Sequence, residues 1–106
     1  MRNPAFHKLL KEIGELHDKK NTDYATAEDP LANLKDCERL GQDPIMGTVV
    51  RMQDKMRRIE NFFRNGILRN ESVRDSLIDL CVYSLLAVVI HDEENRKTAK
   101  QAKKWI

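Results

Sequence analysis

The sequence is poor in the residues that form disulfide frameworks, irregular loops and membrane spans. It contains two cysteines, three prolines and four glycines among 106 residues. Cys37 and Cys81 lie in amphipathic or apolar segments, which predicts reduced thiols rather than a disulfide. The apolar run over residues 80–90 is much shorter than the ~20 residues needed to cross a bilayer, and no apolar stretch follows Met1. These absences predict a cytoplasmic protein without a membrane anchor.

Motifs for several common chemistries are missing too. The histidines are scattered without metal-ligand spacing, and the glycines form no phosphate-binding loop. No serine or cysteine lies in a recognisable nucleophile motif, so covalent catalysis is not expected. The 19 Lys and Arg against 17 Asp and Glu give a net charge of +2, which disfavours nucleic acid or an anionic membrane as partner.

The prolines and glycines are placed where helices begin and end. Each proline follows Asn or Asp, the order typical of a helix start. No segment alternates as a strand does, so the predicted fold class is all-α. We expect one domain over residues 1–106, with an antiparallel bundle over 1–95 and a basic helical tail over 96–106. The bundle has three long helices and one short one, spanning about Pro4 to Lys20, Pro30 to Leu40, Pro44 to Arg64 and Asn70 to Asp92.

The fourth predicted helix is apolar on all sides over residues 80–90. Such a helix needs cover on every side, and the other three helices of so short a chain provide little. We therefore expect a homo-oligomer, a dimer or a tetramer, that completes the bundle.

An acidic stripe precedes this apolar run. Glu71, Asp75 and Asp79 are spaced four residues apart, so on a helix they form a slowly drifting row. Carboxylates that lead into a core are unfavourable unless they are paired, hydrogen-bonded or bound to a metal. Because Glu71 and Asp79 would lie about 12 Å apart along the axis, a single Mg²⁺ could touch only two neighbouring members, with help from Asp54.

The third predicted helix has an apolar and a charged face. The apolar face is expected to be the core stripe; it carries Val49, Met52, Met56, Ile59 and Phe63. The charged face carries Arg51, Asp54, Lys55 and Arg58. Two interpretations stay open: the cations form salt bridges with the acidic stripe, or both stripes bind a metal–polyphosphate ligand.

A polar loop after the first predicted helix is a third candidate site. Lys20, Asp23 and Tyr24 combine a cation, a hydrogen-bonding group and an aromatic ring, and Asn33 lies on the short helix that follows. These residues could contact a nucleotide, with the ring stacking on a base. The alternative is ordinary turn chemistry with Tyr24 as an apolar anchor.

Three blocks of the sequence, KNTDYA, RMQDKMRRIENF and NESVRDSLIDLCVYSLLA, occur in a recognisable order. They resemble the small all-α phage and bacterial family called nucleotide modification associated domain 1, over about Leu16 to Ala87. The resemblance implies a role in phage nucleotide metabolism and kinship with all-α nucleoside triphosphate pyrophosphohydrolases of the MazG-like and dimeric dUTPase group. Those enzymes hold Mg²⁺ with carboxylates on two adjacent helices.

The resemblance also implies residue roles. Carried over by position, the metal-binding and water-activating residues are Glu71, Asp75 and Asp79, with Asp54 as a supporting ligand. The residues implied to contact phosphate or nucleotide are Lys55, Arg58, Lys20, Asp23 and Tyr24. The chain departs from the E-x-x-E then E-x-x-D pattern of that group, since its fourth helix reads E-x-x-x-D-x-x-x-D.

Three functional hypotheses follow. The first is a Mg²⁺-dependent pyrophosphohydrolase of nucleoside or deoxynucleoside triphosphates, modified phage nucleotides included, in which Arg51, Lys55 and Arg58 stabilise phosphoryl charge. The alternative is a non-catalytic nucleotide-binding protein, a nucleotide-signal sponge or an accessory subunit, which the departure from E-x-x-E favours. The third is a structural helical adaptor whose charged stripes pair with each other.

Overall fold

The computed structural model describes residues 1–24, 35–66 and 72–104, with side chains at 1–20, 35–66 and 72–99. These residues are almost entirely helical, and no strand occurs among them, which confirms the all-α prediction for this part of the chain. The elements in chain order are α1 (Pro4–Tyr24), a short 3-10 helix (Asp36–Leu40), α2 (Pro44–Asn65) and α3 (Val73–Lys104).

The helix boundaries follow the predicted chemistry at several ends. Asn3 Oδ1 accepts a hydrogen bond from the Phe6 amide at 3.2 Å. Asp43 Oδ1 accepts one from the Ile45 amide at 2.8 Å, directly before Pro44. Gly41 and Gly66, which follow the 3-10 helix and α2, have φ of 78° and 71°. Only glycine adopts this left-handed conformation without steric cost, so both glycines end helices as expected.

Three predicted boundaries change. Residues 21–24 were expected to form a loop, but they are the last turn of α1, since neither glycine nor proline interrupts the chain there. The short predicted helix is a five-residue 3-10 helix at its end, and residues 30–34 lie outside the described part. The predicted basic tail continues α3, which runs to Lys104, and its side chains at 96–99 are exposed.

α2 and α3 form the main contact of the fold, and they run antiparallel. Lys55 pairs with Asp79, whereas Lys35, which precedes α2, pairs with Glu93 further along α3. The seam of α3 is marked by its two most buried side chains, Ser76 and Ile90, with half-buried positions at helical spacing between them.

The face that α2 turns toward α3 differs from the predicted core stripe. Met56 and Phe63, both predicted to be core residues, are 45% and 76% exposed. Thr48 is fully buried, and Lys55 and Phe62 are half-buried on the contact side. The other three residues of the predicted stripe, Val49, Met52 and Ile59, are half-buried. The prediction is therefore right in part: the contact face includes Met52 and Ile59 but extends toward Lys55, which reaches a carboxylate on α3, because periodicity ranks apolar positions alone.

The 3-10 helix is held against the beginning of α2. A Cβ at Gly47 would lie 2.9 Å from Cys37 Sγ, so glycine is needed where these two elements approach each other. Lys35 Nζ lies 3.2 Å from Glu93 Oε2, which ties the start of the 3-10 helix to α3. Cys37 and Cys81 are both free thiols, as predicted.

The single chain has a thin core. Among the described apolar side chains, Ile13 of α1, Pro44 of α2 and Ile90 of α3 are the buried ones. The radius of gyration is 16.8 Å, against about 13 Å for a compact chain of this length. The accessible surface is 8642 Å², against roughly 6,100 Å² expected for a folded monomer of this mass. The apolar side of α3 away from α2 is therefore exposed; it carries Leu77, Leu85, Val88 and Val89.

No helix in the described part of the chain combines the length and the apolar composition needed to span a membrane.

Candidate functional site

An open groove of about 600 Å³ lies between α2 and α3. Most of its lining comes from two turns of α2, and one residue comes from α3. The lining is formed by Val50, Arg51, Gln53, Asp54, Lys55, Arg57 and Tyr83. Three cations therefore surround a single carboxylate, beside an aromatic ring.

Arg51 and Arg57 are the cations of this groove that keep their charge uncompensated. Both are exposed, and neither forms an ion pair with any residue that the structure describes. The guanidinium group presents five donors in a planar fork that matches phosphate or carboxylate oxygens. Two such groups on one groove wall provide a binding surface for an anion.

Lys55 is engaged with α3. Its Nζ lies 2.9 Å from Asp79 Oδ2, and the two side chains are only 15% and 28% exposed. Because both charges are largely removed from water, separating them would leave a poorly solvated ion on either helix. This pair is the contact that the salt-bridge interpretation of the two charged stripes predicts.

Asp75 holds the first turn of α3. The Asp75 amide donates to Ser72 Oγ at 3.0 Å, and the Ser72 amide donates to Asp75 Oδ2 at 3.4 Å. This reciprocal pair is a capping box, whose sequence signal is Ser-x-x-Asp before an apolar run. α3 consequently begins at Val73. The start expected from the sequence, directly after Asn70, lies a few residues too early.

The predicted magnesium ligands do not converge among the described residues. Asp54 Oδ2 lies 3.4 Å from Arg58 Nε within α2, so Asp54, Asp75 and Asp79 each have a partner of their own. Within residues 1–24, 35–66 and 72–104, no group of three or more His, Cys, Asp or Glu side chains could hold a metal ion. These carboxylates therefore do not fit a magnesium site by themselves, and Glu71 lies outside the described residues.

The predicted loop site is only partly described. Lys20 is exposed near the end of α1. Asp23 and Tyr24 belong to the last turn of that helix, but their side chains, like all of Asn33, lie outside the described residues. Their assignment as nucleotide contacts stays a prediction.

Four lining residues were not expected from the sequence: Val50, Gln53, Arg57 and Tyr83. Gln53 and Arg57 follow Val50 by three and seven residues, a spacing that places all three on one stripe of α2. This stripe runs between the apolar face and the charged face that the sequence pattern of α2 indicates, so neither face includes it. Tyr83 lies inside the apolar run of α3, where no local signal distinguishes a groove residue from a core residue.

Comparison with known proteins found no matching family model, no matching curated protein and no matching solved structure. The resemblance to the nucleotide modification associated domain 1 family accordingly stays a prediction.

The capping box predicts a structural effect for two substitutions at the start of α3. Ser72→Ala should lower the free energy of unfolding by about 0.5–2 kcal/mol, because it removes the acceptor of the Asp75 amide. Asp75→Asn should also destabilise, by about 0.3–1 kcal/mol, since the negative charge near the helix N-terminus is lost. Urea denaturation measures both changes. Ser84→Ala, at an exposed site in the middle of α3, is the control; equal stability of Ser72→Ala and the original protein would contradict the cap.

The Lys55–Asp79 pair predicts strong coupling between α2 and α3. Lys55→Met or Asp79→Asn alone should each cost about 1–3 kcal/mol, because the remaining partner is left half-buried. The double variant should cost less than the two single variants together, as a double-mutant cycle by urea denaturation would measure. The exposed Asp54–Arg58 pair is the matched control, with an expected coupling of about 0.3–0.5 kcal/mol. Additive effects of Lys55→Met and Asp79→Asn would disprove the coupling.

Proposed function

We propose that this protein binds nucleotides in the groove between α2 and α3, with Arg51 and Arg57 contacting the phosphates. The observation that carries the proposal is the presence of two arginines without described ion-pair partners in one groove. Hydrogen bonds between a guanidinium and a phosphate are charge-assisted and often bidentate. A chain of phosphates can therefore use both groups at once.

The balance of charge in the groove supports an anionic ligand. Arg51, Lys55 and Arg57 face one carboxylate of the lining, Asp54. Lys55 is neutralised by Asp79 and Asp54 has Arg58 as partner, so the two arginines provide the excess positive charge. Arginine is preferred over lysine where planar, bidentate recognition of phosphate is needed.

The groove supports the non-catalytic alternative better than the hydrolase. Each described candidate metal ligand has a structural partner, so binding by cations requires no rearrangement of the carboxylates. A Mg²⁺-dependent pyrophosphohydrolase stays the second candidate. Its support is Asp54, which lines the groove next to the cations and so lies near the proposed phosphates.

The exposed side of α3 supports self-association of the chain. Leu77, Leu85 and Val88 lie at helical spacing on the side away from α2, where nothing in the described chain covers them. The accessible surface exceeds that of a compact monomer by about 2,500 Å². A stable interface needs only about 800 Å² from each partner. A second copy packed along α3 would bury this face and complete a bundle.

Nucleotide binding is tested by isothermal titration calorimetry with ribo- and deoxynucleoside triphosphates, with Mg²⁺ and with a chelator. Arg51→Gln combined with Arg57→Gln should weaken binding by about 10- to 100-fold, because charge-assisted hydrogen bonds are lost. Arg64→Gln, which removes an exposed arginine of α2 outside the groove lining, should leave affinity unchanged. No binding by the original protein, or equal binding by the double variant, would contradict the proposal.

The same samples test the second candidate function. Mg²⁺-dependent release of monophosphate and pyrophosphate, stopped by chelator, would establish hydrolysis. Binding without turnover across the panel would favour the non-catalytic protein.

Self-association is tested by sedimentation equilibrium at micromolar concentration. The original protein should sediment as a dimer or a larger homo-oligomer. Leu85→Glu with Val88→Glu should shift it to monomers, because two charges would have to be buried in the apolar interface. Leu40→Glu, at a highly exposed position of the 3-10 helix, is the control and should change nothing. A monomeric original protein would disprove the assembly.

A further inference from the structure

We infer that Tyr83 is the surface on which the base of the nucleotide stacks, in the same groove as the arginines that contact its phosphates. This inference rests on the proposed function, since it names the base-binding end of the same groove. Sequence reasoning assigned the stacking role to Tyr24, at the end of α1.

Tyr83 has the position and the freedom that stacking requires. Among the described residues of α3 it alone lines the groove, and its side chain is half-buried, so part of the ring borders the groove. Its ring contacts no other aromatic ring, and its hydroxyl makes no hydrogen bond, within the described part of the chain. Phe62 and Phe63, by contrast, pack against each other with ring centroids 5.5 Å apart.

The antiparallel arrangement of the helices gives the groove a direction. Lys55 of α2 stands opposite Asp79 of α3. Tyr83 follows Asp79 by one turn, so on the antiparallel neighbour it stands level with residues one turn before Lys55. Arg51 is the lining residue one turn before Lys55, whereas Arg57 lies beyond Lys55 toward the other end.

Tyr83 therefore lies at the end of the groove where Arg51 stands, and both ends carry an arginine. Arg51 and Arg57 are separated by about 9 Å along the axis of α2, so both can contact the phosphates of one nucleotide whose base stacks on Tyr83. Gln53 lies between them and can donate or accept hydrogen bonds at a sugar or a base edge.

The inference predicts that base and phosphate contributions can be separated by substitution. The probes are a nucleoside triphosphate that binds the original protein and inorganic tripolyphosphate, which has no base. Tyr83→Leu should weaken the nucleotide by about 5- to 150-fold, the range for loss of one base–aromatic stack, and leave tripolyphosphate unchanged. Arg57→Gln should weaken both ligands. Tyr83→Phe retains the ring and should retain the preference for the nucleotide.

Ser84→Ala is the matched control on α3, because Ser84 adjoins Tyr83 in sequence but does not line the groove. Melting temperatures of all variants show whether they fold. A measurement on the original protein gives a second test that does not depend on folding of a variant. Nuclear Overhauser effects should connect the ring protons of Tyr83 with protons of the bound base.

The outcomes distinguish this inference from the proposed function. Equal weakening of nucleotide and tripolyphosphate in a folded Tyr83→Leu variant, or no effect on either, would overturn the role of Tyr83 while phosphate binding stands. A bound nucleotide whose base shows no Overhauser effect to Tyr83 would overturn it as well. If the original protein binds neither probe, the proposed function itself fails.

Discussion

The ion pair between Lys55 and Asp79 joins the facing sides of α2 and α3. Both side chains are largely withdrawn from water, so their attraction is screened less than that of a surface pair. With Lys55 in the contact, α2 is rotated so that Met56 and Phe63 are exposed. Val50, Gln53 and Arg57 are exposed and lie on the side of α2 away from Lys55, where they line the groove. The face of α2 that packs and most of the face that lines the groove are therefore different sides of one helix.

The charges of α2 and α3 divide into those with structural partners and those without. Asp79 holds Lys55, and Asp75 holds the first turn of α3 through Ser72. A carboxylate with such a partner stabilises the helix pair and offers less to a metal ion. Arg51 and Arg57 have no such partner in the described chain, which is why the proposed function depends on the cations rather than on the acidic stripe.

The thin core and the exposed side of α3 have a common origin. An apolar run on all sides of a helix requires partners on all sides, and α2 covers only one of them. Each Å² of apolar surface that a partner removed from water would add roughly 25 cal/mol to the stability of the folded chain. A second copy of the chain can provide that surface, because an isologous contact uses the same face twice. The proposed assembly would use the side of α3 opposite the groove, so the two proposals do not compete for one surface.

The sequence by itself determined the local structure: an all-α chain, with helix starts at Asn3-Pro4 and Asp43-Pro44 and helix ends at Gly41 and Gly66. These features depend on capping and backbone conformation, which act within a few residues. The sequence also named Arg51, Asp54 and Lys55, which line the groove, but missed Arg57 and Tyr83. Only the tertiary structure decided the rotation of α2 and hence which charges are paired, because an ion pair between residues 24 positions apart in the chain leaves no trace in the local pattern.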